Sequence, residues 1–257
     1  MQFVRFEIDG SSYYGILEDD KTIIQINSAP FSEHERTGAT YNIEDVKLLT
    51  PCEPTKIFGV GLNFLDHVNE LGVAVPKSPA NFLKPHNSIN NPYDNIVIPR
   101  GVERVDYEGE LAIVVGKMIK DANVAEAAEA IFGVTPFNDL TERIISYTPN
   151  LVTKSKGFDT FSCFGPVLDT DIDWSAVTIR TLLNGKIEQE ANTKDMIFSP
   201  AEILAYLSIG TTFYPGDIIT TGTPEHVLEI KDGDTVEVQI EGININLKNP
   251  VYDMRKH

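Results

Sequence analysis

The chain has 257 residues, and 38 acidic residues against 21 Lys and Arg give a formal net charge of −17 at pH 7. A composition of 42% apolar and 23% charged residues is ordinary for a globular protein and excludes a disordered, collagen-like or coiled-coil chain. The excess of acidic residues opposes binding to nucleic acids and to anionic membranes. The two cysteines, Cys52 and Cys163, lie far apart in the sequence and indicate no disulfide framework, so we expect a cytoplasmic protein.

The first 26 residues predict a small β-meander. Three segments with strand-forming residues, FVRFEI, SYYGIL and TIIQI, are separated by turn sequences at Asp9-Gly10 and Glu18-Asp19-Asp20. From Asn27 to Pro54 polar residues and prolines dominate, which predicts a connection packed over the surface. We therefore expect a small N-terminal β domain with its linker over residues 1–54 and a catalytic domain over residues 55–257.

The larger domain opens with a strand and a short helix. The apolar run from Ile57 to Gly61 is typical of a buried strand. The next segment, FLDHVNEL, predicts a helix with Asn63 as its N-cap and Gly72 as its stop. His67 and Glu70 stand three residues apart and therefore share one face of this helix.

Further along the chain, predicted strands alternate with short helices. The segment RVDYEGELAIVVGK ends in a continuous apolar run, as does FGVTPFND before its final acid, and both predict buried strands. Residues 124–130 favour a helix, and Ser199 with Glu202 predicts a capped helix start. Turn sequences at 215–217, 232–234 and 241–242 predict hairpins. The elements together predict a β-rich α+β fold.

The segment Asp106-Tyr107-Glu108-Gly109-Glu110 carries the clearest chemical signal. On a strand, alternation places its three carboxylates on one face, where a core strand begins. Like charges this close favour a protonated acid or a bound cation, and carboxylate oxygens select Mg²⁺, Mn²⁺ or Ca²⁺ over zinc. The alternative is a solvated strand end. Asp139 follows the next buried strand and either completes the site or forms a turn or N-cap.

Three other features each have two interpretations. His67 with Glu70 is either a general base with its orienting carboxylate or a pair of surface neighbours. Lys154 and Lys156 either neutralise an anionic substrate or are solvated loop residues. The turn at 220–224 either holds a carboxylate through amides and a hydroxyl or only ends a strand. The dinucleotide, P-loop, serine-hydrolase and HExxH signatures are absent from the sequence.

Together these motifs resemble the fumarylacetoacetate hydrolase family over roughly residues 55 to 251. The matching motifs occur in the family's order: Val60-Gly61-Leu62-Asn63, Asp66-His67, Glu70-Leu71-Gly72, Phe82-Leu83-Lys84-Pro85, Val105-Asp106-Tyr107-Glu108-Gly109-Glu110-Leu111, Asn138-Asp139, Lys156-Gly157-Phe158-Asp159, Asn192-Thr193-Lys194-Asp195-Met196-Ile197-Phe198 and Thr221-Gly222-Thr223-Pro224. The resemblance implies a mixed β-sandwich roll, usually a homodimer, with Mg²⁺ or Mn²⁺ in the site.

The resemblance also implies roles for individual residues. The implied set is metal ligands Glu108, Glu110 and Asp139, a catalytic dyad of His67 and Glu70, an active-site Lys156, and substrate contacts at Arg143 and Thr223. Two departures concern the substrate pocket. Ile144 stands where the family commonly has an acid, and Lys154-Ser155 stands where it commonly has Arg-Gly.

The chemistry that the resemblance implies concerns small anionic 2-oxo acids. The first hypothesis is C–C hydrolysis of acylpyruvate-type 2,4-dioxo acids, decarboxylation of oxaloacetate, or both, through a metal-stabilised enolate. In it, His67 oriented by Glu70 activates water, and Lys156 neutralises the developing oxyanion. The alternative is an isomerase or decarboxylase of a 2-hydroxy-dienedioate from aromatic catabolism. An alternative from another class is a non-catalytic, metal-dependent dicarboxylate-binding protein.

Overall fold

The computed structural model describes residues 1–148 and 150–257 of the chain. The N-terminal segment forms five strands: β1 (Gln2–Ile8), β2 (Ser11–Leu17), β3 (Thr22–Ile26), β4 (Arg36–Asn42) and β5 (Lys47–Leu49). The predicted meander is confirmed, because β1, β2 and β3 pair antiparallel in chain order. The predicted connection after Asn27 is wrong in part, because it contains β4, which pairs with β3, and β5, which pairs with β1.

The remaining elements follow in chain order. They are β6 (Ile57–Gly61), α1 (Leu65–Leu71), β7 (Ala80–Lys84), β8 (Ile89–Asn90), β9 (Ile96–Ile98), β10 (Val105–Asp106), β11 (Gly109–Val115), α2 (Val124–Ala130), β12 (Ile131–Asp139), β13 (Thr141–Glu142), α3 (Arg143–Ser146), α4 (Val152–Lys156), β14 (Ser162–Phe164), β15 (Val167–Asp169), β16 (Thr178–Leu183), β17 (Lys186–Asn192), α5 (Pro200–Ser208), β18 (Ile218–Thr220), β19 (Thr235–Ile240) and β20 (Leu247–Asp253). Short 3-10 turns lie at Ile43–Asp45, His86–Ser88 and Thr193–Asp195.

The architecture is an open mixed β-sandwich. The large sheet has the path β4-β3-β2-β1-β15-β12-β11-β18-β6-β7, and a second sheet has the order β17-β16-β19-β20-β9. Most neighbours are antiparallel, but the pairs β6–β18, β8–β14 and β9–β20 are parallel. Side chains of both sheets share one hydrophobic core, in which Ile113 and Val134 of the large sheet join Ile179 and Val238 of the second. Burial of these aliphatic side chains holds the two layers together.

Local sequence signals place several element ends. Gly72 caps α1 in the left-handed conformation, with φ 64°. Asn123 begins α2 and Ser199 begins α5, each with a capping box.

The large sheet also joins the N-terminal strands to the rest of the chain through the pairing of β1 with β15. We retain 1–54 and 55–257 as a proposed division. Among the described residues, no helix has the length and apolar character needed to cross a bilayer.

Candidate active site

Three buried carboxylates converge where β11 and β12 meet at one end of the large sheet. Glu108, Glu110 and Asp139 each place an oxygen within 4.8 Å of the others. The pairing of β11 with β12 sets this arrangement, because Gly109 lies opposite Asn138. The backbone N–H of Asp139 donates to the carbonyl of Glu108 at 2.8 Å. The three acids therefore form one cluster, and Asp139 ends a strand without capping the following helix, whose N-cap is Glu142.

Asp106 does not join this cluster, so the prediction of three carboxylates on one strand face is wrong for it. The strand is interrupted between β10 and β11, at Tyr107 and Glu108. The carboxylate of Asp106 instead accepts hydrogen bonds from Arg104 at 2.7 and 3.0 Å and from Arg143 at 2.8 Å. The break in alternation turns this acid toward two guanidinium groups.

Buried cations reach two of the clustered acids. The ammonium of Lys156 donates to Glu108 at 2.7 Å and to Asp139 at 2.6 Å, and Arg143 donates to Glu108 at 2.6 Å. Burial alone would raise the pKa of Glu108, but Lys156 and Arg143 outweigh it and lower this pKa to about 2. Burial opposes the charged form of Lys156, yet the carboxylates of Asp139, Glu108 and Glu110 together raise its pKa. Glu108 and Lys156 are therefore ionised together.

Lys84 is a further buried cation at the cluster. Its ammonium donates to Asp139 at 2.5 Å and to the carbonyl of Lys156 at 2.9 Å. Burial outweighs the attraction of Asp139 and lowers the pKa of Lys84. By contrast, the Lys154 ammonium lies over the ring of Phe158, 4.3 Å from its centroid. Of the two lysines considered from the sequence, the structure brings Lys156 and not Lys154 to the acids.

Glu110 has the least compensated charge of the three acids. Its carboxylate accepts a hydrogen bond from the backbone N–H of Gly222 at 2.7 Å, and no lysine or arginine of the described residues forms a salt bridge with it. Burial first, and then the nearby carboxylate of Asp139, raises the pKa of Glu110 well above its ordinary value. A divalent cation between these oxygens would relieve the repulsion.

The turn after β18 delivers the Gly222 amide and Thr223 to the cluster. Gly222 has φ 95°, and a Cβ at this position would lie 2.9 Å from the Cβ of Asn63, so only glycine fits. The Thr223 hydroxyl donates to the carbonyl of Gly109 at 3.0 Å. Gln189 of β17, which the sequence analysis did not identify, secures the same turn: its buried amide donates to Thr223 Oγ1, Pro224 O and Glu225 O, each at 3.0 Å.

His67 and Glu70 form a hydrogen-bonded pair on α1. The imidazole Nδ1 lies 3.0 Å from a carboxylate oxygen of Glu70, and the backbone N–H of His226 donates to the same carboxylate at 3.2 and 3.3 Å. The imidazole is buried and lines the cavity described below, whereas Glu70 is exposed, so His67 is not simply a surface residue. The prediction of Asn63 as N-cap is wrong, because α1 has Phe64 at that position and the Asn63 amide instead donates to Phe198 O and Thr221 O.

Several of these groups line one cavity of about 350 Å³. Its lining includes His67, Glu108, Glu110, Arg143, Lys156 and Thr223. A larger cavity of about 460 Å³ lies beside the 3-10 turn at Ile43–Asp45 and contains none of the clustered acids. Perturbed carboxylates and a histidine that converge on one cavity, and not cavity size, identify the candidate active site.

Comparisons with known proteins show the family of this chain. A family profile described as fumarylacetoacetate (FAA) hydrolase C-terminal matches residues 56–251, and one described as Rv2993c-like, N-terminal matches residues 1–51. The chain is 45% identical to MJ1656 of Methanocaldococcus jannaschii, over 85% of this chain and 90% of that protein. It is 36% identical to human mitochondrial oxaloacetate tautomerase FAHD2B, over 80% and 70% of the two chains. The structure of 5-carboxymethyl-2-hydroxymuconate delta-isomerase from Mycobacterium smegmatis superposes with TM-score 0.91 at 36% identity, covering 98% of this chain and 100% of that chain.

Proposed function

The chain belongs to the fumarylacetoacetate hydrolase family, and we propose that it hydrolyses the C–C bond of acylpyruvate-type 2,4-dioxo acids and decarboxylates oxaloacetate with a divalent metal ion. The observation that carries the proposal is the cluster of Glu108, Glu110 and Asp139 beside a cavity that is also lined by His67, the hydrogen-bond partner of Glu70. The comparisons support a catalytic role in this family, and the choice of reaction and substrate is our inference.

The donor set fits Mg²⁺ or Mn²⁺, with Ca²⁺ as a further option. All three proposed ligands, Glu108, Glu110 and Asp139, are carboxylates, and hard cations prefer oxygen. Glu110 has free acceptor capacity, because its bond within the described structure comes from one backbone amide. When bound, such a cation would polarise the 2-oxo group of a substrate and stabilise negative charge on its oxygen.

We propose that His67 moves the proton. Its Nδ1 is engaged with Glu70, which leaves Nε2 to accept a proton from water. The resulting hydroxide would add to the distal carbonyl of the 2,4-dioxo acid. The C3–C4 bond would then break, releasing a carboxylic acid, and His67 would return its proton to C3 to give pyruvate. Lys156 would neutralise the developing oxyanion, with Arg143 and Thr223 beside the substrate carboxylate.

A second candidate is the isomerisation of a hydroxylated dienedioate. It is favoured by the 36% identity to a structure described as a muconate isomerase and to a human oxaloacetate tautomerase. Isomerisation needs only the proton transfer by His67 and no attacking water. The non-catalytic binding hypothesis ranks last, because it gives the buried His67 and its hydrogen bond to Glu70 no task. The homodimer and the cytoplasmic location are still predictions.

Turnover assays separate these candidates. With Mg²⁺, we expect the protein to release pyruvate from acetylpyruvate and from oxaloacetate, and we expect EDTA or Glu108→Ala to abolish both. A dienedioate whose ultraviolet absorption shifts without release of a fragment would instead establish isomerisation. Metal-dependent thermal stabilisation without turnover of any of the three substrates would leave the binding hypothesis and refute our proposal.

A further inference from the structure

The cavity has a charged floor and an apolar rim. The acids at the floor are almost fully buried, with Glu110 1% and Asp139 0% exposed. The rim includes Leu71 of α1, which is 41% exposed, and Tyr147 directly after α3, which is 66% exposed. Leu62 and Val152 also line the cavity. A substrate whose carboxylate and 2-oxo group lie against the acids must therefore direct its distal end toward hydrocarbon.

The cations at this cavity are already engaged. Arg143 and Lys156 are the Lys and Arg residues among the described residues that line it. Arg143 bonds to Asp106 and Glu108, and Lys156 bonds to Glu108 and Asp139, all between 2.6 and 2.8 Å. A carboxylate at the rim would lose hydration without gaining a free cationic partner, which is unfavourable.

We infer that, among 2-oxo acids long enough to reach the rim, the site selects those with an uncharged, apolar distal group and excludes those that end in a second carboxylate. The inference rests on the proposed function for the orientation of the 2-oxo carboxylate end. It identifies Leu71 and Tyr147 as specificity residues that contact the distal group. For the proposed hydrolysis, the favoured substrates are alkanoylpyruvates and not 2-hydroxy-dienedioates.

Calorimetry on the Mg²⁺-loaded full chain tests this inference without turnover. The probes are 2-oxobutanoate, 2-oxopentanoate and 2-oxohexanoate, compared with 2-oxoadipate, which matches the last in chain length but ends in a carboxylate. We expect affinity to rise about two- to fourfold for each methylene that reaches the rim. We also expect 2-oxohexanoate to bind at least about tenfold more tightly than 2-oxoadipate, a factor that corresponds to one uncompensated polar contact.

Charge variants at the rim give the decisive control. Tyr147→Lys and Leu71→Lys both place an ammonium at exposed positions, so folding is preserved, and each should shift the preference toward 2-oxoadipate. Met118→Lys, at a residue that is 69% exposed and does not line the cavity, should leave the preference unchanged. Equal or tighter binding of 2-oxoadipate by the unmodified chain, or rim variants that behave like Met118→Lys, would overturn the inference.

The inference and the proposed function fail in different ways. If the apolar probes bind preferentially but no acylpyruvate is cleaved, the specificity inference stands and the proposed reaction is wrong. If acetylpyruvate is cleaved but 2-oxohexanoate and 2-oxoadipate bind equally, the reaction stands and the inference is wrong. If none of the 2-oxo acids binds in the presence of Mg²⁺, both are wrong.

Discussion

Replacing Glu110 by Gln should change the stability of the protein in opposite directions with and without metal. One carboxylate oxygen from each of the three acids lies within 4.8 Å of the other two. At an effective dielectric constant of about 20, two unit charges at that distance repel by about 3.5 kcal/mol. Because the pKa of Glu110 is raised, a bound proton already relieves part of this repulsion. In EDTA at pH 8 we expect Glu110→Gln to stabilise the fold by about 1 to 3 kcal/mol, which is roughly 2 to 10 °C in Tm.

Metal should reverse this order. A ligand at about 100 times its Kd stabilises the folded state by about 2.7 kcal/mol, and a neutral amide at position 110 weakens the binding of a divalent cation. Thermal unfolding with increasing Mg²⁺ should therefore raise the Tm of the unmodified chain past that of Glu110→Gln.

Glu108→Gln is the matched control for this experiment. The same chemical change there removes a carboxylate that Lys156 and Arg143 both use, so it should destabilise the protein in EDTA by about 3 kcal/mol. Both variants should lose the response to Mg²⁺. If Glu110→Gln is destabilised in EDTA as Glu108→Gln is, or if it retains the full Mg²⁺ response, the assignment of an uncompensated metal ligand is wrong.

Three further predictions concern other parts of the molecule. His67→Asn should lower kcat by about 10²- to 10⁴-fold and leave the Mg²⁺-dependent rise in Tm intact; unchanged kcat would exclude His67 as the base. Gln189→Leu should leave the hydrogen-bond acceptors of the 223–225 turn unpaired. The free energy of unfolding, measured in urea, should fall by about 1 to 3 kcal/mol, and KM should rise. A variant with normal stability and normal KM would contradict this role. Burial raises the pKa of Cys52, and it raises the pKa of Cys163 to about 12. Neither thiol should therefore react with a thiol reagent at pH 8 before the protein unfolds. Labelling of either cysteine within minutes in native buffer would disprove this.

The sequence predicts elements whose signals are local. The β-branched run of β11, the capping box at Ser199 and the left-handed stop at Gly72 each depend on neighbours within a few residues, and all three are confirmed. β4 was missed because its sequence, RTGATYN, is polar and mostly exposed. Its strand conformation depends on pairing with β3 and not on a hydrophobic pattern of its own.

Residues that act over long sequence separations could not be predicted from local pattern. Lys84 is 55 residues from Asp139, and its place in an apolar strand gives no indication of a salt bridge. Asn63 has the residue type of an N-cap, but it instead bonds to Phe198 and Thr221, more than 130 residues away. The family resemblance located the acids and the dyad, whereas the partners that balance their charge required the fold.

Arg143 and Lys156, which neutralise Glu108, lie on either side of residues that line the cavity. Both ends of the segment 143–156 are fixed to the same acid, because Arg143 and Lys156 each donate to Glu108. Tyr147 and Val152, which line the cavity, lie between these anchors, and no salt bridge of the described residues involves the positions between them. A change of rim residue therefore alters the surface that meets the distal end of a substrate while the anchors keep the acids in place. Relatives are described as an isomerase and as a tautomerase, so membership of the family does not determine the reaction. The substrate of this chain must therefore be inferred from rim residues such as Leu71 and Tyr147 and not from the acids.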